Sequence, residues 1–276
     1  MDTMDDSAAG RYWEQNAEAW TRLSRQGYDV YRDLMNTPAF LNMLPAIEGR
    51  VGLDVGCGEG HNTRLLARRG ACMFAVDVAP TFVRYARDAE RNCSADIRYS
   101  SASAQRLPFR DAVFDFATAF MILMDMPDSR AALREAWRVL KPGGFLQFSI
   151  THPCFDPPCR RLLRDAQGTA YAVEVGGYFD DTDGRIDRWL FSAAPPAAKA
   201  GLPQFQVPRF HRPLSDWLNA VLEAGFQIER VAEPCVDRET ALRFPVVADT
   251  RVVAYFLHVR CRKACGTEAI PANAII

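Results

Sequence analysis

One segment near the start of the chain limits the possible folds more than any other. An apolar run, Val51–Val55, leads into three glycines at alternate positions, Gly56, Gly58 and Gly60, and then into apolar residues at helical spacing. Glycine permits the positive φ angles of a tight turn and lets a ligand approach the main chain. A helix behind such a turn presents unpaired N–H groups. The pattern predicts a strand, a ligand-binding turn and a helix.

The residues around this turn indicate what kind of ligand it binds. A dinucleotide motif requires Gly or Ala where this chain has His61, and the Gly-Lys-Ser/Thr of a P-loop is absent. Asp54 ends the strand, where its carboxylate would repel a pyrophosphate and favour a ligand with positive charge. Asp77 ends the next apolar run, at the spacing from which an acid reaches ribose hydroxyls. Adenosine with a cationic tail suits both acids.

Four segments in series resemble the successive motifs of class I S-adenosylmethionine-dependent methyltransferases. They are Leu53-Asp-Val-Gly-Cys-Gly-Glu-Gly60, Val76-Asp-Val-Ala-Pro80, the run 104–115 and the run 135–145. The resemblance is closest to the branch with ubiquinone-biosynthesis-type and many small-molecule enzymes, strong over 45–150 and looser over 213–262. It implies S-adenosylmethionine as the cofactor. It also implies cofactor contacts by Asp54, Gly56, Gly58, Gly60, Asp77, Val78, Ser103, Ala104 and Phe120.

Ser103 departs from the pattern of this branch. Members usually carry an acid at this position, where it holds the adenine amino group, and Gln105 replaces another commonly acidic residue. A serine hydroxyl accepts such a hydrogen bond more weakly than a carboxylate. Adenine recognition would then depend on the backbone of Ala104 and on apolar contacts. Ser103→Asp is expected to tighten cofactor binding or leave it equal.

Strands and helices alternate from residue 51 to residue 150. The predicted helices are 60–69, 80–92 and 129–140, and the predicted strands are 51–55, 72–76, 96–100, 113–118 and 144–150. Pro142-Gly143-Gly144 is expected to end the last helix and turn the chain into the fifth strand. This alternation predicts an α/β fold with a doubly wound, mostly parallel sheet, and the resemblance implies seven strands. A helix from Leu214 and strands at 226–233 and 251–260 complete the prediction.

We divide the chain into four predicted parts. Residues 1–46 form an N-terminal helical cover, 47–150 with 213–263 form the cofactor-binding domain, and 264–276 are a loose tail. Residues 151–212 are rich in Pro, Gly and aromatics, lack the α/β alternation and start at a strand end beside the cofactor cleft. We interpret them as an inserted substrate lid with antiparallel strands of its own, with dimer contacts as the alternative. The lid is expected to select the acceptor and to contribute little to cofactor affinity.

Aromatic and histidine side chains in the first and third parts are candidates for acceptor binding and catalysis. His152 and His211, at the two ends of the insertion, are candidate general bases, with His61 third and structural hydrogen bonding as the alternative for each. A packing role is the alternative for the aromatic residues. The candidate substrate contacts are Tyr12, Trp13, Tyr28, Phe155, Tyr178, Trp189 and Phe210.

Composition narrows the classes of partner. The net charge is −1 and the chain has neither a long apolar run nor a signal-like start, so we expect a cytoplasmic protein without attraction to nucleic acid or membrane. Eight cysteines without a C-x-x-C pair are expected to be reduced and to bind no metal.

The predicted function is methyl transfer from S-adenosylmethionine to an oxygen or nitrogen of a small molecule. One alternative is an RNA-modifying methyltransferase that uses Arg160, Arg161 and Arg164 against phosphates. The other is a cofactor-binding protein without transfer activity.

Overall fold

The computed structural model describes residues 4–91 and 95–265. Residues 266–276 of the predicted tail lie outside them. The strands, in chain order, are β1 (Val51–Val55), β2 (Cys72–Asp77), β3 (Arg98–Ser101), β4 (Phe114–Phe120), β5 (Leu140–Thr151), β6 (Cys159–Arg164), β7 (Ala170–Gly176), β8 (Arg185–Trp189), β9 (Phe205–Arg209), β10 (Phe226–Ala232) and β11 (Phe256–Lys263).

Seven of these strands form the central sheet, in the order β10-β11-β5-β4-β1-β2-β3. The strands β1 to β5 run parallel, whereas β11 pairs antiparallel with both β5 and β10. This confirms the predicted α/β fold with a seven-stranded, mostly parallel sheet. The strand order reverses between β1 and β4, and ligands of such sheets bind at the carboxyl ends of the strands beside this reversal.

Eight α-helices of the described residues accompany the sheet. They are α1 (Asp6–Arg25), α2 (Thr37–Met43), α3 (His61–Arg68), α4 (Pro80–Glu90), α5 (Ser129–Val139), α6 (Pro196–Lys199), α7 (Leu214–Glu223) and α8 (Arg238–Arg243). The three helices predicted between residues 60 and 140 are present. Pro80 lies in the first turn of α4, where its missing N–H costs no hydrogen bond.

Two predicted boundaries are wrong. Strand β5 begins at Leu140, so Pro142, Gly143 and Gly144 lie within the strand instead of before it. Residues 251–255 are not strand, because β11 starts at Phe256, which pairs with the last residue of β5, Thr151. Beyond this pair the two segments share one more backbone hydrogen bond, from the His152 N–H to the Tyr255 carbonyl at 2.9 Å, and a 3-10 turn, Pro245–Arg251, lies earlier in the chain.

The centre of the sheet is tightly packed on both faces. Gly52 of β1 lies under the ring of Phe116 of β4, and a Cβ on Gly52 would lie 2.2 Å from the ring atom Cζ. Only glycine fits at this point. The Phe116 ring in turn stacks on Phe145 of β5, with 5.5 Å between the ring centroids. This packing fixes the positions of the strand ends that carry the site.

Helix α1 packs with two different parts of the molecule. It begins at Asp5, whose side chain accepts a hydrogen bond from the Ala8 N–H at 2.7 Å. Trp13 packs against Phe82 of α4, with 6.5 Å between the ring centroids. Two turns further along α1, Trp20 contacts the aromatic side chains of Trp189, Phe191 and Phe205. The helix therefore joins the cofactor-side helix α4 to the segment 151–212.

The segment 151–212 contains two small antiparallel sheets, β6-β7 and β8-β9, so the predicted antiparallel strands are present. Strand β9 packs beside α1, and the amide of Asn16 makes two hydrogen bonds to the backbone of Gln206, at 2.8 Å and 2.9 Å. The two elements also share a buried cluster that includes Leu23, Phe205 and Val207.

Candidate functional site

The turn after β1 holds the glycines in conformations that other residues rarely adopt. Gly56, Gly58 and Gly60 have φ values of 69°, 55° and 84°. A Cβ on Gly56 would lie 2.5 Å from Cγ2 of Ile122, whereas a Cβ on Gly58 would have no heavy atom within 4 Å. Gly60 is the N-cap of α3. The turn thus packs tightly against the residues after β4 at Gly56 and leaves open space at Gly58.

The two predicted acids lie at adjacent strand ends. Asp54 accepts hydrogen bonds from the hydroxyls of Thr63 at 2.5 Å and Thr118 at 2.8 Å, and burial raises its pKa to about 6. Asp77 accepts hydrogen bonds from the N–H groups of Gly58 at 2.8 Å and Ala79 at 2.9 Å. Burial also raises the pKa of Asp77 to about 6. Asp77 therefore fixes the glycine turn and keeps free lone pairs on both oxygens.

A cavity of about 610 Å³ opens at these strand ends. Its volume is in the range of small-molecule sites. It extends beneath α1 to β8 and β9, and the insertion contributes to its wall. The predicted site residues that line it are Trp13, Tyr28, Asp54, Gly56, Gly58, Asp77, Val78, Ser103, Ala104, Phe120 and Trp189.

The other predicted residues do not line this cavity, and most of them have structural contacts elsewhere. They are Gly60, Tyr12, Phe155, Tyr178, Phe210, His152 and His211. The Tyr178 hydroxyl accepts a hydrogen bond from the Leu214 N–H at 2.8 Å. Phe155 packs on His152, with 4.8 Å between the ring centroids, and Phe210 is buried.

The two candidate bases are occupied by other partners. The Nε2 atom of His152 lies 2.7 Å from Oε1 of Glu233, and its Nδ1 accepts a hydrogen bond from the Cys154 N–H. The Nε2 atom of His211 lies 2.8 Å from the carbonyl oxygen of Tyr178, to which it donates. Neither ring lines the cavity, so the structure does not bring these two predicted bases to it. The sequence located them at the ends of the insertion but could not show where the rings point.

His61 does line the cavity. Burial, reinforced by the charge of Arg32, lowers its pKa to about 4. Its Nε2 lies 4.0 Å from Oδ1 of Asp33. The imidazole is therefore neutral near pH 7.

Asp125 is the most unusual acid of the cavity, and the sequence reasoning missed it. It lies in a 3-10 turn, Leu123–Asp125, just after β4, and 5% of its surface is exposed. Its Oδ1 atom is buried and has no hydrogen-bond partner within residues 4–91 and 95–265. Burial raises its pKa to about 8 although the charge of Arg209 opposes this. The available signal was a carboxyl in the short connection that follows the predicted strand 113–118.

Arg209, the residue of the insertion whose charge acts on Asp125, holds several parts of the cavity wall together. Its guanidinium donates to the Thr151 hydroxyl at 3.0 Å and to Oδ2 of Asp156 at 2.5 Å. Asp187 of β8 lies 3.5 Å from its Nε. Arg209 thus ties the end of β5 to strands β8 and β9 at the cavity wall.

A second polar group lies on the wall near the start of β11. The hydroxyls of Tyr31 and Tyr255 donate to Asp249 at 3.1 Å and 2.8 Å, and the two rings stack with 5.7 Å between centroids. Burial raises the pKa of Tyr255 to about 12, so the phenol stays neutral. Arg160 lies over the Tyr255 ring at 4.6 Å. These four residues line the cavity.

Asp6, at the start of α1, lies on the wall beside Ser103. Its Oδ2 accepts a hydrogen bond from the Ser103 hydroxyl at 2.5 Å, and its Oδ1 accepts one from the Gln105 amide at 2.8 Å. Nothing in the local sequence indicated this contact, since ninety-seven positions separate Asp6 from Ser103.

Comparisons with known proteins agree with this geometry. A family profile described as a methyltransferase domain matches residues 53–148. The chain is 30% identical over 145 residues to a ubiquinone biosynthesis O-methyltransferase of Alkalilimnicola ehrlichii. The matched part covers 52% of this chain and 56% of that protein. It is 33% identical over 144 residues to a ubiquinone/menaquinone biosynthesis C-methyltransferase UbiE of Vibrio vulnificus. The matched part covers 47% of this chain and 55% of that protein. The chain spans about half the length of these curated relatives.

A solved S-adenosylmethionine dependent methyltransferase from Mesorhizobium loti superposes with a TM-score of 0.66 and 27% identity, and covers 82% of this chain and 96% of that one. Within the described residues, no helix is long and apolar enough to cross a membrane. The matched profile coincides with strands β1 to β5, and the solved relative shares the fold over most of both chains. Residues 53–148 therefore match a methyltransferase domain, and the fold is that of the class I S-adenosylmethionine-dependent methyltransferases.

Proposed function

We propose that this chain transfers a methyl group from S-adenosylmethionine to an oxygen or nitrogen of a small molecule. The observation that carries the proposal is one cavity whose wall carries two different sets of groups. One set is the glycine turn with Asp54 and Asp77, and the other is Asp125, Tyr255 and aromatic side chains of the insertion. Groups for a cofactor and groups for an acceptor in one cavity are what direct transfer between two bound molecules requires.

The lining residues fit a cationic nucleoside. Seven carboxyl groups and three guanidinium groups line the cavity, so its charge favours a cation. The carboxylate of Asp77 has lone pairs for ribose hydroxyls, and the open space at Gly58 lets a ligand lie on the main chain. Val78, Ala104 and Phe120 supply apolar wall. We assign the cofactor to these residues.

When bound, S-adenosylmethionine supplies a methyl group on a cationic sulfur that leaves as a neutral thioether. The protein must align the acceptor with that methyl and exclude water. An acceptor hydroxyl or ammonium must also release a proton. We assign Asp125 as the base that accepts this proton, because its carboxyl is on the cavity wall and its Oδ1 has no hydrogen-bond partner within the described residues. It lies three residues after Ile122, which packs directly on Gly56.

The acceptor is an apolar or aromatic small molecule in this proposal. Trp13, Tyr28 and Trp189 supply flat apolar surface, and the tyrosine pair on Asp249 supplies polar groups that can orient a ligand. The names of the two curated relatives describe transfer to oxygen in one and to carbon in the other. We favour oxygen or nitrogen because Asp125 suits an acceptor that loses a proton from the attacking atom.

An RNA substrate is disfavoured by the positions of the three arginines. Arg161 pairs with Glu174 at 2.7 Å, and Arg164 donates to the Gly168 carbonyl. Arg160 faces the cavity and donates to the Phe155 carbonyl. They do not form the open basic groove that a phosphate backbone requires.

The experiment is to incubate the protein with S-adenosylmethionine labelled in its methyl group and a small-molecule extract, then to find labelled products by mass spectrometry. We expect a small molecule that gains one labelled methyl group, and far less of this product in the same time with Asp125→Asn. Label found in RNA alone would contradict the proposal. Cofactor binding without any labelled product would support a binding protein without transfer activity.

A further inference from the structure

The order of the strands determines where each part of the cofactor lies. Strands β1, β2 and β3 are neighbours in the sheet, and their carboxyl ends carry the glycine turn, Asp77 and Ser103 in that order. With the ribose at Asp77, the methionine part lies towards β1 and the base lies towards β3. The segment 102–104 that follows β3 lines the cavity at this point.

The acidic side chain at this end belongs to α1 instead of β3. Asp6 accepts hydrogen bonds from the Ser103 hydroxyl and from the Gln105 side-chain amide, one on each oxygen. The Ser103 oxygen also accepts a hydrogen bond from the Gln105 N–H at 3.0 Å. The only hydroxyl proton of Ser103 is therefore directed at Asp6, and each Asp6 oxygen keeps acceptor capacity.

Helix α1 is fixed closely enough to hold Asp6 in place. Gly10 lies against Val78, and a Cβ on Gly10 would lie 2.8 Å from Cγ2 of Val78. Glu14 accepts hydrogen bonds from the N–H and the hydroxyl of Thr81, at 3.0 Å and 2.7 Å. Two turns of α1 thus contact the residues that follow β2.

We propose that Asp6 selects a purine with an amino group at position 6, and that Ser103 and Gln105 orient its carboxylate. This inference rests on the proposed function, because it takes the adenosine of S-adenosylmethionine as the ligand. An amino group donates a hydrogen bond to the carboxylate, whereas an oxo group at the same position would bring two acceptors together. A site built around a hydrogen bond discriminates strongly against a ligand that cannot make it.

Calorimetry with two thioethers tests this without any acceptor. S-adenosylhomocysteine carries the 6-amino group, and S-inosylhomocysteine carries a 6-oxo group. We expect wild type to prefer the adenosyl compound, and Asp6→Asn to bind it about tenfold to a hundredfold more weakly, as for a lost hydrogen bond to a charged group. The amide of Asn can donate to the 6-oxo group, so Asp6→Asn should narrow or reverse the preference.

Asp5→Asn is the matched control. Asp5 is the exposed neighbouring acid and caps α1, and asparagine caps helices about as well as aspartate. The ratio of the two affinities is measured within one preparation, so a smaller folded fraction of a variant does not alter it. An unchanged ratio in Asp6→Asn would overturn the inference while leaving the proposed function intact. Failure of wild type to bind S-adenosylhomocysteine at all would instead overturn the proposed function and this inference with it.

Discussion

The hydroxyl of Ser103 lies 2.5 Å from Oδ2 of Asp6, so that the end of the third strand and the start of the first helix share one hydrogen bond. Asp6 thereby brings a carboxylate to the end of β3, where the residue that follows the strand, Ser103, supplies only a hydroxyl. The same contact changes what a substitution at Ser103 should do.

Ser103→Asp is expected to weaken S-adenosylhomocysteine binding. The sequence alone favoured the opposite result, because an acid is usual at this position. In the structure the new carboxylate would face Asp6 at hydrogen-bond distance, and two like charges there repel. Calorimetry at neutral pH measures the loss, and Ser103→Ala controls for removal of the hydroxyl. Restored affinity in the double variant Ser103→Asp with Asp6→Asn would identify the repulsion as the cause, and tighter binding by Ser103→Asp alone would refute it.

Asp77→Ala should weaken S-adenosylhomocysteine binding by about 1.5–3 kcal/mol, the range for hydrogen bonds to a charged group. The same substitution leaves the N–H groups of Gly58 and Ala79 without their acceptor. Thermal unfolding should therefore show a lower melting temperature as well. Asp88→Ala is the control, because Asp88 is an exposed acid on α4 whose salt bridge with Arg91 lies at the surface. Unchanged affinity in Asp77→Ala would remove Asp77 from the cofactor site.

Turnover should depend on Asp125 and not on the two histidines. With the acceptor found by methyl labelling, Asp125→Asn should lower kcat by about 10²–10⁴, the usual contribution of a general base. His152→Ala and His211→Ala should turn over about as fast as wild type, because neither ring lines the cavity. The wild-type rate should rise with pH through about 8, since the base must be ionised. A pH profile unchanged by Asp125→Asn would exclude this role.

The stability of Asp125→Asn relative to wild type should change with pH. The native pKa of Asp125 is raised from 3.8 to about 8 by burial, so between these values the native protein keeps a proton that the unfolded chain has lost. Wild type is therefore destabilised progressively as pH rises from about 4 to about 8, by an amount on the order of a few kcal/mol. Asparagine does not ionise, so the variant should gain stability over wild type across this window. Chemical denaturation at pH 4 and pH 8 measures it, and an equal difference at both values would contradict the buried, unpaired carboxyl.

The parts of the site that could be predicted are those that depend on neighbouring residues in the chain. The glycine turn, Asp54 and Asp77 follow from strand ends and spacing, and the structure brings them to one cavity. Contacts between distant segments gave no local signal: Asp6 meets Ser103 only because α1 docks on α4. Ring orientation was equally hidden, since nothing in the sequence around His152 indicates that Glu233 takes its Nε2. Packing of whole elements decides such contacts.

Replacing residues 156–207 by a short Gly/Ser linker should abolish methyl transfer and also weaken cofactor binding. The sequence alone favoured unchanged cofactor affinity, because every recognised cofactor motif lies outside this segment. In the structure, α1 buries Leu23 against Phe205 and Val207 of β9, and Asn16 is bonded to Gln206. Without β9 that face of α1 is exposed to water, which favours local unfolding of the helix.

Asp6 moves with that helix, so the loss should appear in the affinity for S-adenosylhomocysteine. Hydrogen exchange over residues 6–25 should rise in the deletion variant and, to a smaller extent, in Asn16→Ala. Phe179→Ser is the control within the same segment, because its side chain is 85% exposed and its loss removes no buried contact with α1. If the deletion variant bound S-adenosylhomocysteine as tightly as wild type, α1 would be held by α4 alone. Cofactor affinity would then be independent of the segment that surrounds the acceptor.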